Sequence, residues 1–436
     1  MHRTTTTPWL RGAAGATLLL GVMACGESAE QSTPPAADTP VAPTGAANQG
    51  APAGPAPATA TASTAASADT DADRGWLLEQ ALGVSNSIPT RIHDRERAQC
   101  QEWVVLGYLE AGDPLSAARC AESIDGWRRG ECEGLIGVHY ALKGDRDLAL
   151  KYARLAEDRS KGQQDWRRER MLIEAAKVHA ILGNAAVARE LSAGASEAET
   201  GKVEGAVVSV LTPDQFEAQT KILDAVLDSG TFDGMRNALD AYLPLVRRMT
   251  DQRALALAAA DRIDKALPSM PMDLQIIYGT RLAGALHALG ETDRAQRRLG
   301  QAADQVAATT FLPEDLTPMQ VEVAKARAEL GDAAGARAAL DAALASYEAR
   351  KKEIVDVFRA RSPRALAEGY ALLGDHATSE TCYLEALSAG SINPNSRPRA
   401  EDLTATLVSM ARSRAAATPA LRAKIQACRK GLGDPW

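Results

Sequence analysis

The sequence predicts an all-α protein: a series of antiparallel helix hairpins that follows a disordered N-terminal segment. Its 436 residues are 45% hydrophobic but only 4% aromatic, and they are rich in alanine and leucine, as is typical of helices. A glycine followed by a polar residue recurs where one apolar stripe ends and the next begins. Glycine ends a helix in the left-handed conformation, and the polar side chain caps the following helix. These glycines are Gly112, Gly144, Gly183, Gly290, Gly331 and Gly374.

Residues 1–24 have the pattern of an export signal. Arg3 and Arg11 precede an apolar run at residues 12–22, which is too short to span a bilayer. The run ends just before Cys25, and this junction resembles the bacterial lipobox. The resemblance implies a lipidated Cys25 as the new N-terminus, and Gly26 in place of Asp favours the outer membrane. The alternative is an ordinary signal peptide with a chance cysteine.

Residues 25–74 are mainly Ala, Pro, Thr, Ser and Gln, with almost no large apolar side chain. Such a segment cannot bury a core, so we expect a disordered linker that places the folded part, residues 75–436, on the order of 40 Å from the anchor. The formal charge of the whole chain is −7. This charge argues against nucleic acid as a partner.

The folded part shows one register around the six glycines. Small residues lie seven positions before most of these glycines, and mostly larger residues lie four positions before them. Apolar or small residues lie nine and twelve positions after them. Alanine lies five positions after five of the glycines, at Ala117, Ala149, Ala188, Ala295 and Ala336. This pattern resembles the tetratricopeptide repeat. The resemblance implies an α-α superhelix, a solenoid whose first helices line a concave face.

The expected array is less regular in its middle and at its ends. Gly183 and Gly290 are 107 residues apart, and we expect an irregular region at about 193–272, with a loop break at 193–213 and Gly230 in repeat register. Further helices are expected at 252–267 and 273–289. A short leading helix at 76–82 and a C-terminal cap at about 397–436, with helices at 400–412 and 419–430, complete the array.

Catalytic, metal and cofactor motifs are not found in the sequence. It contains neither the Gly-x-Ser-x-Gly nor the His-Glu-x-x-His pattern, and Val203 replaces the hydroxyl residue of a phosphate loop after Lys202. His139, His179 and His287 belong to separate first helices, too far apart for one metal. We therefore expect no enzyme activity, no cofactor and no metal.

Five cysteines follow Cys25, and export would allow them to oxidise. Cys120 and Cys132 are symmetric about the turn near Gly126, so we favour that pair, with Cys100 as the competing partner of Cys132. Cys382 and Cys428 would join the last repeat to the cap. The alternative is that these cysteines are small buried apolar side chains.

Arginines recur fifteen residues before four of the glycines, at Arg97, Arg129, Arg168 and Arg359. Two belong to a repeated Trp-Arg-Arg phrase. Arginine forks suit carboxylates and tryptophan is a strong anchor, so these residues could bind a partner on the concave face. Alternatively, the arginines pack on the preceding hairpin and pair with acids such as Glu122 or Glu157. The phrase consists of Trp127, Arg128 and Arg129, and again of Trp166, Arg167 and Arg168.

The expected function is therefore a membrane-anchored, non-enzymatic scaffold of the bacterial cell envelope that binds a protein or peptide. Its location would be the outer membrane, facing the periplasm or the cell surface. A cell-wall (peptidoglycan) processing enzyme, or its helical accessory subunit, is the alternative, and a purely structural spacer is a third possibility.

Overall fold

The computed structural model describes residues 61–436, and this part of the chain contains nineteen α-helices and no strand. The expected signal peptide, Cys25 and most of the predicted linker lie outside the described residues. The helices are α1 Thr61–Ser87, α2 Thr90–Glu110, α3 Pro114–Glu122, α4 Trp127–Leu142, α5 Arg146–Ser160, α6 Asp165–Ile181, α7 Ala185–Leu191, α8 Glu197–Ser209, α9 Phe216–Ser229, α10 Phe232–Arg248, α11 Arg253–Ala266, α12 Met272–Ala288, α13 Thr292–Ala308, α14 Pro313–Glu329, α15 Ala333–Arg350, α16 Arg361–Leu372, α17 His376–Ala389, α18 Ser396–Arg412 and α19 Pro419–Lys430.

The first helix is longer than expected. It begins at Thr61, so the end of the segment predicted to be disordered is helical, because this alanine-rich stretch continues into the apolar residues around Trp76. Among the described residues, no helix is long and apolar enough to cross a membrane.

The predicted glycine turns are confirmed. All six glycines have φ between 74° and 83°, the left-handed region, and each separates two helices of one hairpin. At four of these turns the next residue is an aspartate whose carboxylate accepts a hydrogen bond from the backbone N–H three residues later, as with Asp113 and Ser116. The five alanines of the register are buried against the partner helix of their hairpin. Local sequence therefore determines these six hairpins.

The middle of the chain is helical, and the expected loop break at 193–213 is wrong. Helix α8 lies there, and it packs against both α6 and α10. Gly230 has φ 70° and separates α9 from α10, which pack against each other, but α10 also contacts α8 and α12 as a first helix does. The α8–α9 turn instead uses Thr212, whose side chain and that of Gln215 cap each other's backbone N–H groups. Helices α8 to α11 thus fill the 107-residue gap, and α10 and α11 pack as a hairpin.

The first helices contact one another in chain order, from α2 through the even-numbered helices to α18, and α18 contacts α2. The described array is therefore closed, and the predicted C-terminal cap packs against the first hairpin. A Cβ atom on Gly107 would lie 2.6 Å from Leu78 Cδ2 and 3.5 Å from Val408 Cγ1, so this glycine allows the close approach. Arg422 Nη2 donates to Asp73 at 2.7 Å across the same seam.

Candidate functional site

The candidate site is at the start of α4 and α6, which approach closely along a glycine face. Gly130, Gly134 and Gly137 lie three to four residues apart and so share one side of α4. A Cβ on Gly134 would lie 2.4 Å from Glu174 Cβ, and one on Gly130 would lie 2.4 Å from a methionine sulfur of α6. Side chains at these positions would push the two helices apart.

Two tryptophans meet where these helices begin. The ring centroids of Trp127 and Trp166 are 4.8 Å apart, with the ring planes at 80°, an edge-to-face arrangement. A residue with positive φ precedes each ring: Gly126 at 79° and Asp165 at 54°. Trp166 nevertheless remains 47% exposed. A residue with positive φ thus precedes both rings, and the ring of Trp166 faces solvent.

Arginine side chains surround the two rings. The guanidinium carbon of Arg128 is 4.8 Å from the Trp127 centroid, that of Arg170 is 5.5 Å from the same centroid, and that of Arg167 is 4.6 Å from the Trp166 centroid. Neither helix has a side-chain cap. Since the N-terminus of a helix already carries partial positive charge, arginines in the first turn strengthen a field that favours anions.

Carboxylates lie beneath the arginines. Arg128 pairs with Glu102, and Arg170 Nη2 is 2.8 Å from Glu131 Oε1. Glu131 is only 4% exposed, and its second carboxylate oxygen is buried with no hydrogen-bond partner among the described residues. Burial, and then the neighbouring Glu102, raises the pKa of Glu131 to about 8, while Arg170 only partly offsets this rise. Burial therefore favours the protonated form of Glu131, against the attraction of Arg170.

The structure divides the predicted arginines into two groups. Arg97 Nη1 donates to Asn86 O at 3.0 Å, and Arg359 Nε donates to Ile354 O at 2.9 Å. Arg97 of α2 thereby holds the end of α1, and Arg359 holds the backbone just before α16; neither guanidinium lies over a tryptophan ring.

Arg129 and Arg168 belong to the repeated phrase but differ from each other. Arg129 Nη1 donates to the backbone oxygen of Glu122 at 3.3 Å, and its Nε donates to Glu133 Oε1 at 3.2 Å. Arg168 is exposed and makes no hydrogen bond or ion pair within the part of the chain that the structure describes. Among the four register arginines, Arg168 is thus the one left to contact a partner.

Two residues of the site were not predicted. Glu131 and Arg170 each lie thirteen positions before the glycine of their hairpin, so adjacent repeats place an acid and a base at the same register position. That complementary pair was a signal in the sequence.

Other exposed apolar residues lie at the same end of the array. Neighbouring first helices begin side by side, as shown by Arg361 Nη1 and Asp315 Oδ1 at 2.7 Å between α16 and α14. The tryptophan pair therefore belongs to an end of the array that carries several large apolar side chains in contact with solvent. They are Ile92, Phe232, Met272, Leu312, Val355 and Ile392.

The predicted disulfides are not formed: all five described cysteines are thiols. Cys120 and Cys132 remain unjoined within the core, where burial raises the pKa of Cys120 to about 12. Cys382 and Cys428 are also free thiols, and Cys428 Sγ lies 3.2 Å from Ser391 Oγ. Four of the five thiols are fully buried and pack as small apolar side chains.

The described residues contain no cluster of His, Cys, Asp or Glu side chains suited to a metal ion. No known protein family matches the chain, and no curated protein is similar to it.

Proposed function

We propose that this protein is a lipid-anchored, non-enzymatic scaffold of the bacterial cell envelope, built from tetratricopeptide-like repeats. Its partner would be a protein that presents an acidic segment with an apolar side chain. The observation that carries this proposal is the half-exposed Trp166, held against Trp127 among arginines at two uncapped helix N-termini.

The chemistry of the surface supports such a partner. Trp and Arg are the residue types that contribute most to binding energy at protein interfaces. Arg167 and Arg168 make no ion pair with a described carboxylate, so their forks can bind carboxylates of a partner in the bidentate geometry. The neighbouring exposed apolar residues would extend the contact area around this centre.

Crosslinking and affinity purification from envelopes would test the partner. We expect a partner with the wild-type chain, and at least a tenfold loss with Trp166→Ala/Arg168→Glu, since anchor residues contribute about 2 kcal/mol or more. The matched control is Arg189→Glu, which reverses the charge of an exposed arginine on α7. Equal recovery with all three proteins, at unchanged helicity, would mean that the tryptophan surface is structural.

The anchor has a separate test. Cys25→Ser should move the protein out of the membrane fraction and remove the acyl mass from the N-terminal peptide, because the proposed lipid is attached through this sulfur. A variant that stays in the membrane fraction would contradict lipidation at Cys25 while leaving the partner site untouched.

A further inference from the structure

A second site is a small cavity that lies between three elements: the end of α17, the first half of α18, and α19. Its volume is about 180 Å³, and its lining includes Ser391, Arg399, Lys424 and Cys428. A narrow extension of about 10 Å³ continues between α17 and α18 to Asp402 and Thr406. The cavity is far in sequence from the tryptophan surface and shares no residue with it.

The charged groups of this cavity do not pair with one another. Asp402 and Lys424 make no hydrogen bond or ion pair within the described chain, and Arg399 donates only to Ser396 Oγ, at 2.6 Å. The Arg399 Nε atom is buried without an acceptor, and the Thr406 hydroxyl, on a residue 1% exposed, has no partner. Buried polar groups in proteins are normally hydrogen-bonded, so this cavity has the features of a binding site for a polar molecule.

The arrangement of charge restricts the kind of molecule. Arg399 and Lys424 supply two cations at the wide part, whereas Asp402 supplies a carboxyl group at the narrow end. Since one water occupies about 30 Å³ of liquid, the cavity suits a ligand of roughly six to nine non-hydrogen atoms. A ligand of this size that carries both charges is a zwitterion.

We propose that the cavity binds a small free α-amino acid, with its carboxylate at Arg399 and Lys424 and its ammonium at Asp402. The arginine fork gives the carboxylate two parallel hydrogen bonds. The Thr406 hydroxyl and Ser391 provide further polar contacts beside the ligand.

The titration of Asp402 is consistent with this assignment. Burial raises the pKa of Asp402 to about 7, and Arg364 lowers it only in part. A ligand ammonium beside the carboxylate would favour its ionised form, so binding of the amino acid would release protons from protein molecules in which Asp402 is protonated.

Cys428 provides a direct measurement of occupancy. It is the one partly exposed thiol among the described cysteines, and it lines the cavity. Alkylation of the full-length chain with iodoacetamide would be followed at the Cys428 peptide by mass spectrometry. L-Alanine and L-serine would be the probes, with propionate and propylamine as ligands that carry only one of the two charges.

We expect L-alanine or L-serine to slow alkylation of Cys428 several-fold, and propionate and propylamine to have little effect. Asp402→Asn and Arg399→Gln should abolish this protection, whereas Asp228→Asn, which changes an exposed aspartate on α9, should retain it. Lys424→Gln, at the wide part of the cavity, should also abolish protection of Cys428. This variant does not alter a buried residue.

Three results would overturn the proposal. The first is that neither amino acid protects Cys428. The second is that propionate protects it as well as L-alanine does, and the third is that protection survives Asp402→Asn and Lys424→Gln. In the last two cases the cavity would not recognise both charges of a zwitterion.

Discussion

At the level of single residues, the site contains a carboxyl group whose protonated form is favoured by burial. Glu131 shares one oxygen with Arg170, and the other is buried without a partner. Because its pKa is raised in the folded protein, the folded state binds more protons than the unfolded state between the ordinary carboxyl pKa and about pH 8. Glu131 therefore lowers stability progressively as pH rises through this range.

Glu131→Gln should make stability less dependent on pH, since glutamine stays neutral. Between pH 5 and pH 8.5 we expect the free energy of unfolding of the wild type to fall by at least about 1.4 kcal/mol more than that of the variant, the equivalent of one pKa unit. Thermal or urea unfolding at several pH values measures this difference. If the free energy of unfolding changed with pH equally in the two proteins, Glu131 would be ionised in the folded state. The control is Glu190→Gln, on the surface of α7.

At the level of secondary-structure elements, the turns before α4 and α6 place the tryptophans. Gly126 has φ 79° and ψ −159°, a region that is essentially restricted to glycine. Asp165 reaches positive φ at the corresponding position of the next hairpin, where a side chain makes this conformation costly. The second turn is thus less favourable than the first.

Opposite substitutions at the two turns should have opposite effects. Gly126→Ala should destabilise the protein by about 1–3 kcal/mol, because alanine cannot adopt this backbone conformation without strain. Asp165→Gly should instead stabilise it by up to about 1 kcal/mol. Chemical denaturation measures both changes, and a neutral Gly126→Ala would contradict the role given to this turn.

How far the sequence predicts the structure depends on whether the signal is local. The six glycine hairpins and the last two helices are confirmed, because a left-handed glycine and a capping residue act within a few positions. The turns at Thr212 and Met249 contain no glycine, so the sequence did not predict α8, although it predicted the helix at 252–267 where α11 lies. The repeated Trp-Arg-Arg phrase predicts the candidate surface, whereas the pairing of Glu131 with Arg170 joins residues 39 positions apart and belongs to no single motif.

At the level of the whole molecule, closure joins the two ends of the described array in one hydrophobic core. Leu78 and Val104 near its start belong to the same cluster as Leu407 and Leu421 near its end. Arg412 and Glu110 form an ion pair across the seam. No local pattern predicts these contacts, because the partners are about 300 residues apart along the chain.

Gly107→Val should open this seam, because the added side chain meets Leu78 and Val408. We expect a loss of about 1–3 kcal/mol, typical of overpacking, and faster alkylation of Cys100, which is buried where α2 meets α18. Cys132 is the internal control, since it is equally buried on α4. Equal alkylation rates at Cys100 and Cys132 would indicate general unfolding. The control variant is Gly300→Ala, at an exposed position of α13 with open space around it, which should not destabilise the protein.

The seam also sets an order of events during synthesis. Asp73 and its partner Arg422 are separated by 349 positions. At a synthesis rate of roughly 5–20 residues per second, the first hairpin leaves the ribosome roughly 20–70 s before the helices that cover it. Throughout that interval the apolar side chains that α18 and α19 later cover have no native partner, so the nascent chain exposes an apolar surface until its last two helices have been made.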